Sequence, residues 1–284
     1  MKIIRHPRNT LHGVSSSRSA TLGLLACSVI WGATFVIVKV SVETIPPLMF
    51  LFGRFTIALF VLMAFSWREL RMNWWSHLPY STLLGIIIFI GFIFQVWGLQ
   101  RTSSSNAGFI TGVSVVLVAL LDVLLNRRVP TAMALAGFVS TLSGLVVLSL
   151  GQGYIASVGN LLVLGCAVAF GLHIFWTDRY SKRFNVKVLT TEQIGVVVLI
   201  SLAGAILDEE FRFAPSDYAL FGIMYGGILA TAVAYFLQTW SQKHVDATYS
   251  AVVLAAEPVF AAVFAVSLMF ESLTVQMMAG GILV

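Results

Sequence analysis

The chain has very few charged residues for its length. Charged residues make up 10% of the 284 positions, whereas hydrophobic residues make up 58% and the mean hydropathy is +0.93. A water-soluble domain usually carries about a quarter charged residues. Charge this sparse does not cover the surface of a soluble fold, so we expect the chain to fold in a lipid bilayer.

Residues and motifs that carry enzymatic or metal chemistry are also scarce. The two cysteines, Cys27 and Cys166, both lie inside apolar runs, and the five histidines are scattered along the sequence. This arrangement offers neither a disulfide framework nor metal-ligand spacing. P-loop, HExxH, Ser-His-Asp and CxxC patterns are missing as well. We therefore expect no cofactor, no bound metal and no enzymatic activity.

Long apolar runs fill most of the sequence. A run of about 17–25 residues is long enough to cross a bilayer as a helix. We place such runs at 20–40, 46–66, 80–99, 103–125, 131–149, 157–177, 190–207, 216–239 and 246–269. A tenth begins near Ser272 and stops at Val284, so we expect either a truncated chain or a partial last helix. The sequence thus predicts an all-α membrane protein of ten transmembrane helices.

The basic segment before the first apolar run lacks the features of a cleavable signal peptide. The run from Ala20 to Val40 is longer than a usual signal core, and no small-x-small cleavage site follows it. We interpret residues 1–19 as a cytoplasmic tail and the run as the first membrane helix.

The positions of the cations predict how the helices are oriented. With the N-terminus in the cytoplasm, thirteen Lys and Arg residues fall in inside segments, and three, Lys39, Arg101 and Arg212, fall outside. This bias follows the positive-inside rule and does not resemble a phosphate-binding stripe, so we expect no nucleic-acid partner. We predict a multi-pass protein of the cell inner membrane with a cytoplasmic N-terminus.

Three sequence blocks recur in the second half of the chain. The matching blocks are residues 27–32 and 166–171, 94–97 and 237–240, and 127–137 and 271–281. Three matches in the same order predict two repeats, at 20–150 and 157–284. Each repeat has five predicted helices, an odd number, so the second repeat enters the membrane from the opposite side. Inverted repeats of this kind are typical of secondary transporters.

Several short motifs carry a likeness to a known family. They are Trp31-Gly-Ala-Thr-Phe35, Arg54, and Leu254-Ala-Ala-Glu257-Pro-Val259 followed by Glu271-Ser-Leu-Thr274. With them the chain resembles the drug/metabolite transporter superfamily, specifically its EamA-type ten-helix members, over about residues 20–284. The first repeat departs from the late motif, with Val113-Ser114 in place of Glu-Pro and Arg127 in place of the later Glu. The resemblance implies a transporter, and the family spans exporters of amino acids, metabolites and toxic compounds.

Ionisable residues within the apolar runs are candidates for function, because they usually face a cavity or a partner. We interpret Glu257, beside Pro258, either as a cavity-lining carboxylate that contacts substrate or takes up a proton, or as a structural group at a helix kink. Arg54 is a counter-charge for an anionic substrate group or, alternatively, a member of a fixed ion pair or a snorkelling side chain. His173 is a proton-coupling group or a hydrogen-bonded packing residue.

Two repeat-related glutamines, each two residues before a tryptophan, complete the candidate site. Gln95 and Gln238 offer hydrogen bonds to a substrate, with the indoles as apolar walls, or all four residues serve helix packing and interfacial anchoring. We expect a central cavity bounded by helices one, three, four, six, eight and nine. Its candidate substrate-binding residues are Trp31, Gln95, Trp97, His173, Gln238, Trp240 and Glu257.

These patterns predict a secondary carrier, an exporter of amino acids or other small metabolites or drugs, that works by alternating access. Since no ATPase motif is present, the energy comes from a substrate or ion gradient, and protons are the candidate coupling ion. The expected partners are a small-molecule substrate and the lipid bilayer. An uptake carrier of the same fold, a lipid-modifying membrane enzyme and a simple pore are the alternatives.

Overall fold

The computed structural model describes residues 10–73, 75–126, 135–136, 139–140, 143–144, 146–147, 157–207, 215–269 and 274–283. Every regular element within these ranges is helical. The helices are α1 (Thr10–Ser41), α2 (Pro47–Asn73), α3 (Leu78–Leu99), α4 (Ser104–Thr111), α5 (Ser114–Asn126), α6 (Val158–Ser181), α7 (Val186–Leu207), α8 (Asp217–Gly227), a π-helix (Ile228–Val233), α9 (Ala234–Gln242), α10 (Ala247–Leu254), α11 (Glu257–Met269) and α12 (Val275–Leu283).

Eight helical segments of 22–26 residues are long and apolar enough to cross a membrane. They cover the first four and the sixth to ninth apolar runs. One segment consists of the two short helices α4 and α5, a second consists of α10 and α11, and a third consists of α8, the π-helix and α9. The fifth predicted run, 131–149, falls largely outside the described residues. The tenth is represented by α12, which has nine residues. The all-helical fold is therefore confirmed for the described residues, and the count of ten helices stays a prediction.

The starts of the helices repeat along the chain. Helices α2 and α7 begin at Pro47 and Val186, 139 residues apart, and α3 and α8 begin at Leu78 and Asp217, again 139 apart. Helices α4 and α10, and likewise α5 and α11, begin 143 residues apart. The offset grows by four residues because α3 has 22 residues, whereas the segment Asp217–Gln242 has 26. That longer segment contains the π-helix, whose wider turn accommodates extra residues.

Capping side chains define where four of these helices begin. The N-cap residues Ser103, Ser157, Ser216 and Asp246 each accept a hydrogen bond from a backbone N–H three residues ahead. Ser103 and Asp246 hold equivalent positions before α4 and α10. A cap of this kind stabilises a helix by about 1 kcal/mol, because it satisfies a backbone donor that the helix leaves free.

Two repeat-related glycines bring the first helix of each repeat against the other repeat. A Cβ at Gly32 of α1 would lie 2.5 Å from the Phe260 Cβ of α11, and one at Gly171 of α6 would lie 2.9 Å from Leu117 Cδ2 of α5. Any side chain at these positions would push the helices apart. The repeats therefore interlock: α1 packs on the second repeat and α6 packs on the first.

Candidate functional site

Two of the membrane-crossing segments are interrupted near their middle. The break between α4 and α5 falls at Gly112-Val113, and the break between α10 and α11 falls at Ala255-Ala256. At both, backbone N–H groups bond carbonyls three residues back, as in Val113 N to Ile110 O and Ala256 N to Val253 O, at 3.1 and 3.3 Å. Each break places the positive N-terminal end of a half-helix, α5 or α11, in the interior of the protein.

A cavity lies beside both breaks. Its walls come from α1, α2, α3, the α4–α5 and α10–α11 breaks, α6 and α9. The lining residues are Trp31, Thr34, Arg54, Phe92, Gln95, Thr111, Gly112, Ser114, Val115, Phe170, His173, Ile174, Tyr235, Gln238, Leu254, Glu257 and Pro258. All six helices expected from the sequence contribute to the walls, and α2 adds Arg54.

Most of this lining consists of repeat-related pairs. At an offset of 139 residues Trp31 aligns with Phe170 and Thr34 with His173, while at 143 residues five further pairs align. Those five are Phe92 with Tyr235, Gln95 with Gln238, Thr111 with Leu254, Ser114 with Glu257, and Val115 with Pro258. Equivalent positions of the two repeats thus converge on one cavity, as expected for a site at a repeat interface.

The structure brings six of the eight residues singled out from the sequence to this cavity: Trp31, Arg54, Gln95, His173, Gln238 and Glu257. It does not bring Trp97 or Trp240 there. Trp97 is 37% exposed on α3, and the Trp240 ring lies 4.7 Å from the His244 ring near the end of α9. Because both follow their glutamine by two residues, they point to another face of the helix.

Aromatic partners of the two glutamines were missed by the sequence reasoning. Phe92 and Tyr235 each precede a glutamine by three residues, a spacing that puts both side chains on one helix face. The Phe92 ring lies 5.2 Å from Phe170, and the Tyr235 ring lies 5.3 Å from Trp31. The aromatic-x-x-Gln spacing, which both repeats share, is the sequence pattern that predicts these two rings beside the glutamines.

Glu257 is the first residue of α11 and faces the cavity. Its side chain is partly exposed and makes no hydrogen bond or ion pair with any described residue. The N-terminal end of α11 carries a partial positive charge that favours a carboxylate there. The group is therefore held in place by the helix break while its oxygens stay available to a ligand.

Arg54 is fully buried in α2, bordering the same cavity. Its Nε donates to Thr231 Oγ1 at 2.9 Å, its Nη2 donates to the Ala230 carbonyl at 3.4 Å, and the guanidinium lies 4.5 Å from the Phe92 ring centre. No described carboxylate forms an ion pair with it, and Nη1 has no partner among the described residues. Gly226 makes room for the side chain, since a Cβ there would lie 3.0 Å from Arg54 Cδ.

The π-helix supplies the acceptor that both Trp31 and Arg54 use. Trp31 Nε1 donates to the Ala230 carbonyl at 2.8 Å, the same oxygen that Arg54 Nη2 approaches. A π-helix shifts the backbone pairing from i→i+4 to i→i+5 and often occurs at functional sites. The local widening of this segment thus positions two side chains of the first repeat at the cavity wall.

His173 and Gln238 differ in how well their polar atoms are satisfied. His173 Nε2 lies 3.0 Å from Gln193 Oε1 and 3.2 Å from Thr177 Oγ1, two residues that do not line the cavity. Gln238 is 1% exposed, and its Oε1 has no hydrogen-bond partner among the described residues. A buried acceptor without a partner costs about 1–3 kcal/mol, which a ligand donor would recover.

Comparisons with known proteins agree with this architecture. The family model described as the EamA-like transporter family matches residues 18–150 and again residues 157–284. An uncharacterized transporter of Archaeoglobus fulgidus is 31% identical over 265 residues, covering 93% of this chain and 83% of its own length. The uncharacterized transporter YoaV of Bacillus subtilis is 22% identical, with 93% of each chain covered. The uncharacterized inner membrane transporter YedA of Escherichia coli is also 22% identical, and the match covers 92% of this chain and 87% of YedA.

A solved crystal structure shares the fold. It superposes with a TM-score of 0.75 at 22% identity, over 94% of this chain and 93% of that one.

Proposed function

The chain belongs to the EamA-like transporter family, and we propose that it is a secondary carrier that exports small molecules across the cell inner membrane by alternating access. The observation that carries this proposal is the cavity between two helix breaks, lined by seven repeat-related pairs. In inverted-repeat carriers the substrate lies near the midplane, where broken helices of the two repeats meet. The family and the names of its relatives favour a transporter over a membrane-embedded enzyme.

In this proposal the two repeats are inverted in the membrane, with the N-terminus in the cytoplasm. The cation bias of the sequence supports that orientation, and the description of YedA as an inner membrane transporter supports an inner-membrane location. The transported molecules are amino acids or other small metabolites or drugs. An uptake carrier of the same fold is the second candidate, because the same cavity serves either direction.

We assign the substrate-binding surface to Trp31, Gln95, His173, Gln238 and Glu257. The aromatic rings provide apolar walls, while Gln238 Oε1 and the Glu257 carboxylate provide acceptors that no described residue occupies. A few convergent polar groups in a largely apolar pocket are typical of small-molecule sites.

Glu257 is our candidate for proton coupling. A carboxylate that passes between a closed and a water-filled cavity can bind and release a proton in each cycle, and Glu257 has no partner among the described residues that would fix its charge. His173 is a weaker candidate, because its Nε2 is already paired with Gln193 and Thr177.

The test uses purified protein in lipid vesicles. Vesicles are loaded with unlabelled members of a panel of amino acids and small organic acids, and the uptake of the same labelled compound is measured. A carrier shows saturable counterflow for at least one compound, whereas a simple pore shows uptake that does not saturate. Counterflow of no compound, or uptake linear in concentration, would contradict the carrier function.

The coupling role is tested with an imposed pH gradient. Glu257→Gln should lose gradient-driven accumulation but keep counterflow. The matched control is Glu192→Gln: Glu192 also lies in a membrane-crossing helix, but its Oε2 accepts a hydrogen bond from Ser81 and it does not line the cavity. Full pH-driven accumulation by Glu257→Gln would show that Glu257 has a structural role.

A further inference from the structure

We propose that Arg54, held by the π-helix, is the binding group for a carboxylate on the transported molecule. The proposal rests on the carrier function proposed above and adds the chemical class of the substrate. It starts from an imbalance in the interior: Arg54 is fully buried, and no described acidic residue forms an ion pair with it.

A buried guanidinium without a counter-ion is costly. Buried charges in proteins are normally paired or fully hydrogen-bonded, because the low-dielectric interior does not replace the lost hydration. Arg54 has two neutral acceptors, Thr231 Oγ1 at 2.9 Å and the more distant Ala230 carbonyl at 3.4 Å. Contact with the Phe92 ring at 4.5 Å supplies part of the remaining stabilisation. The charge itself stays uncompensated by any described residue.

The unpaired part of the guanidinium identifies what is missing. Nη1 has no acceptor among the described residues, although Arg54 borders the cavity. Because Nε and Nη2 are held by the π-helix segment, the plane of the guanidinium is fixed and Nη1 is left for a ligand. A carboxylate oxygen is the acceptor that matches an arginine best, in charge and in geometry.

The surroundings of Arg54 add an apolar requirement. The rings of Phe55 and Phe92 lie 5.5 and 4.5 Å from its guanidinium carbon, and Phe92, Trp31 and Tyr235 line the cavity. A molecule that places its carboxylate on Arg54 therefore lays its body against aromatic side chains. The site is suited to a small organic carboxylate with an apolar body.

Thr231 is the positioning residue of this site. Its hydroxyl accepts from Arg54 Nε and is fully buried, so it orients the guanidinium without lining the cavity. Thr239, in the following helix α9, is an equally buried threonine whose hydroxyl donates to the Tyr235 carbonyl instead. Replacing either threonine by valine removes one buried hydroxyl, but only Thr231→Val releases Arg54.

The test compares 3-phenylpropionate with its neutral amide, 3-phenylpropanamide, two probes of nearly equal shape. Equilibrium binding is measured with the purified full chain in lipid nanodiscs. We expect the wild type to bind the carboxylate at least tenfold more tightly than the amide, and Arg54→Gln to bind the two about equally. Arg54→Lys should keep part of the preference. Thr231→Val should weaken carboxylate binding several-fold and leave amide binding unchanged, while Thr239→Val should match the wild type.

Three results would overturn the proposal: wild-type binding of both probes with equal affinity, wild-type binding of neither, or an unchanged preference in Arg54→Gln. The outcome is separable from that of the carrier function. Saturable counterflow without a carboxylate preference removes the Arg54 site and keeps the carrier. A carboxylate preference that depends on Arg54, in a protein that shows no counterflow, keeps the site and removes the carrier.

Discussion

Replacing Gly32 by alanine should destabilise the protein, although alanine is the better helix former. Within a helix the change from glycine to alanine normally gains about 0.5–1 kcal/mol. At position 32, however, the new Cβ would lie 2.5 Å from Phe260 Cβ and 2.9 Å from the backbone nitrogen of Ala261. Carbon atoms in good contact lie about 3.5–4.0 Å apart, so α11 would have to move by about 1 Å.

This overlap involves the backbone of a neighbouring helix, and a rotamer change does not relieve it. Overpacking of this kind costs about 1–3 kcal/mol, which exceeds the gain in helix propensity and leaves a net loss of about 0.5–2 kcal/mol. For a chain of this size that corresponds to a Tm lower by about 1–3 °C. Transport should fall as well, because Phe260 lies about one turn after Glu257, which lines the cavity.

The assay is thermal unfolding of the purified protein in detergent, with Gly195→Ala as the matched control. A Cβ at Gly195 meets only Leu59 Cδ1, at an ordinary 3.7 Å, so that variant should unfold at or above the wild-type Tm. If Gly32→Ala proves as stable as Gly195→Ala, the close packing of α1 on α11 is not as described and the reasoning fails.

Three further predictions follow from individual residues. Asn185→Cys, between α6 and α7, should react with a membrane-impermeant maleimide only after cells are permeabilised, while Glu43→Cys should react in intact cells. Both positions are exposed, and the native Cys27 and Cys166 are buried. The reverse labelling pattern would contradict the predicted orientation. Trp31→Phe should slow counterflow several-fold because the 2.8 Å bond to the Ala230 carbonyl is lost, whereas Trp240→Phe should leave it unchanged; equal effects would argue against this cavity as the transport site. Gln193→Leu should destabilise the protein by about 0.5–1.5 kcal/mol, because the buried His173 ring loses one of its two partners and keeps Thr177, and an unchanged Tm would show that the Gln193 pairing contributes nothing.

The membrane-crossing segments and the repeat could be predicted from the sequence because both depend on local pattern. Eight apolar runs became helices of spanning length, and Gln95 and Gln238 of the repeated blocks line one cavity. The prediction that Trp97 and Trp240 line the cavity was wrong. It assumed that residues close to Gln95 and Gln238 in the sequence share their helix face. A glutamine and a tryptophan two residues apart lie about 200° apart around a helix, so they do not share a face.

The partners of Arg54 could not be predicted from the sequence. Its acceptors, Thr231 and the Ala230 carbonyl, lie more than 170 residues further along the sequence. Both belong to a π-helix that no sequence motif predicts. The fixed ion pair considered for Arg54 requires a carboxylate nearby, and the described residues provide none. Long-range contacts of this kind are set by how the helices pack, and an apolar periodicity does not encode them.

The positions at which the repeats differ matter more for transport than those at which they agree. We propose that the two repeats exchange conformations as the carrier passes between its inward- and outward-facing states. A substrate then meets Gln95 and Gln238 in equivalent surroundings in both states. Identical pairs therefore contribute equally to the affinity for substrate in the inward-facing and the outward-facing state. A ligand shifts the equilibrium between two states only when it binds them with different affinities. Arg54 aligns with Gln193, and Glu257 aligns with Ser114, so each charge belongs to one repeat alone. In the carrier that we propose, the gradients set the direction of net transport, and a difference in affinity between the two facing states, or coupling to an ion, depends on unmatched positions such as these two.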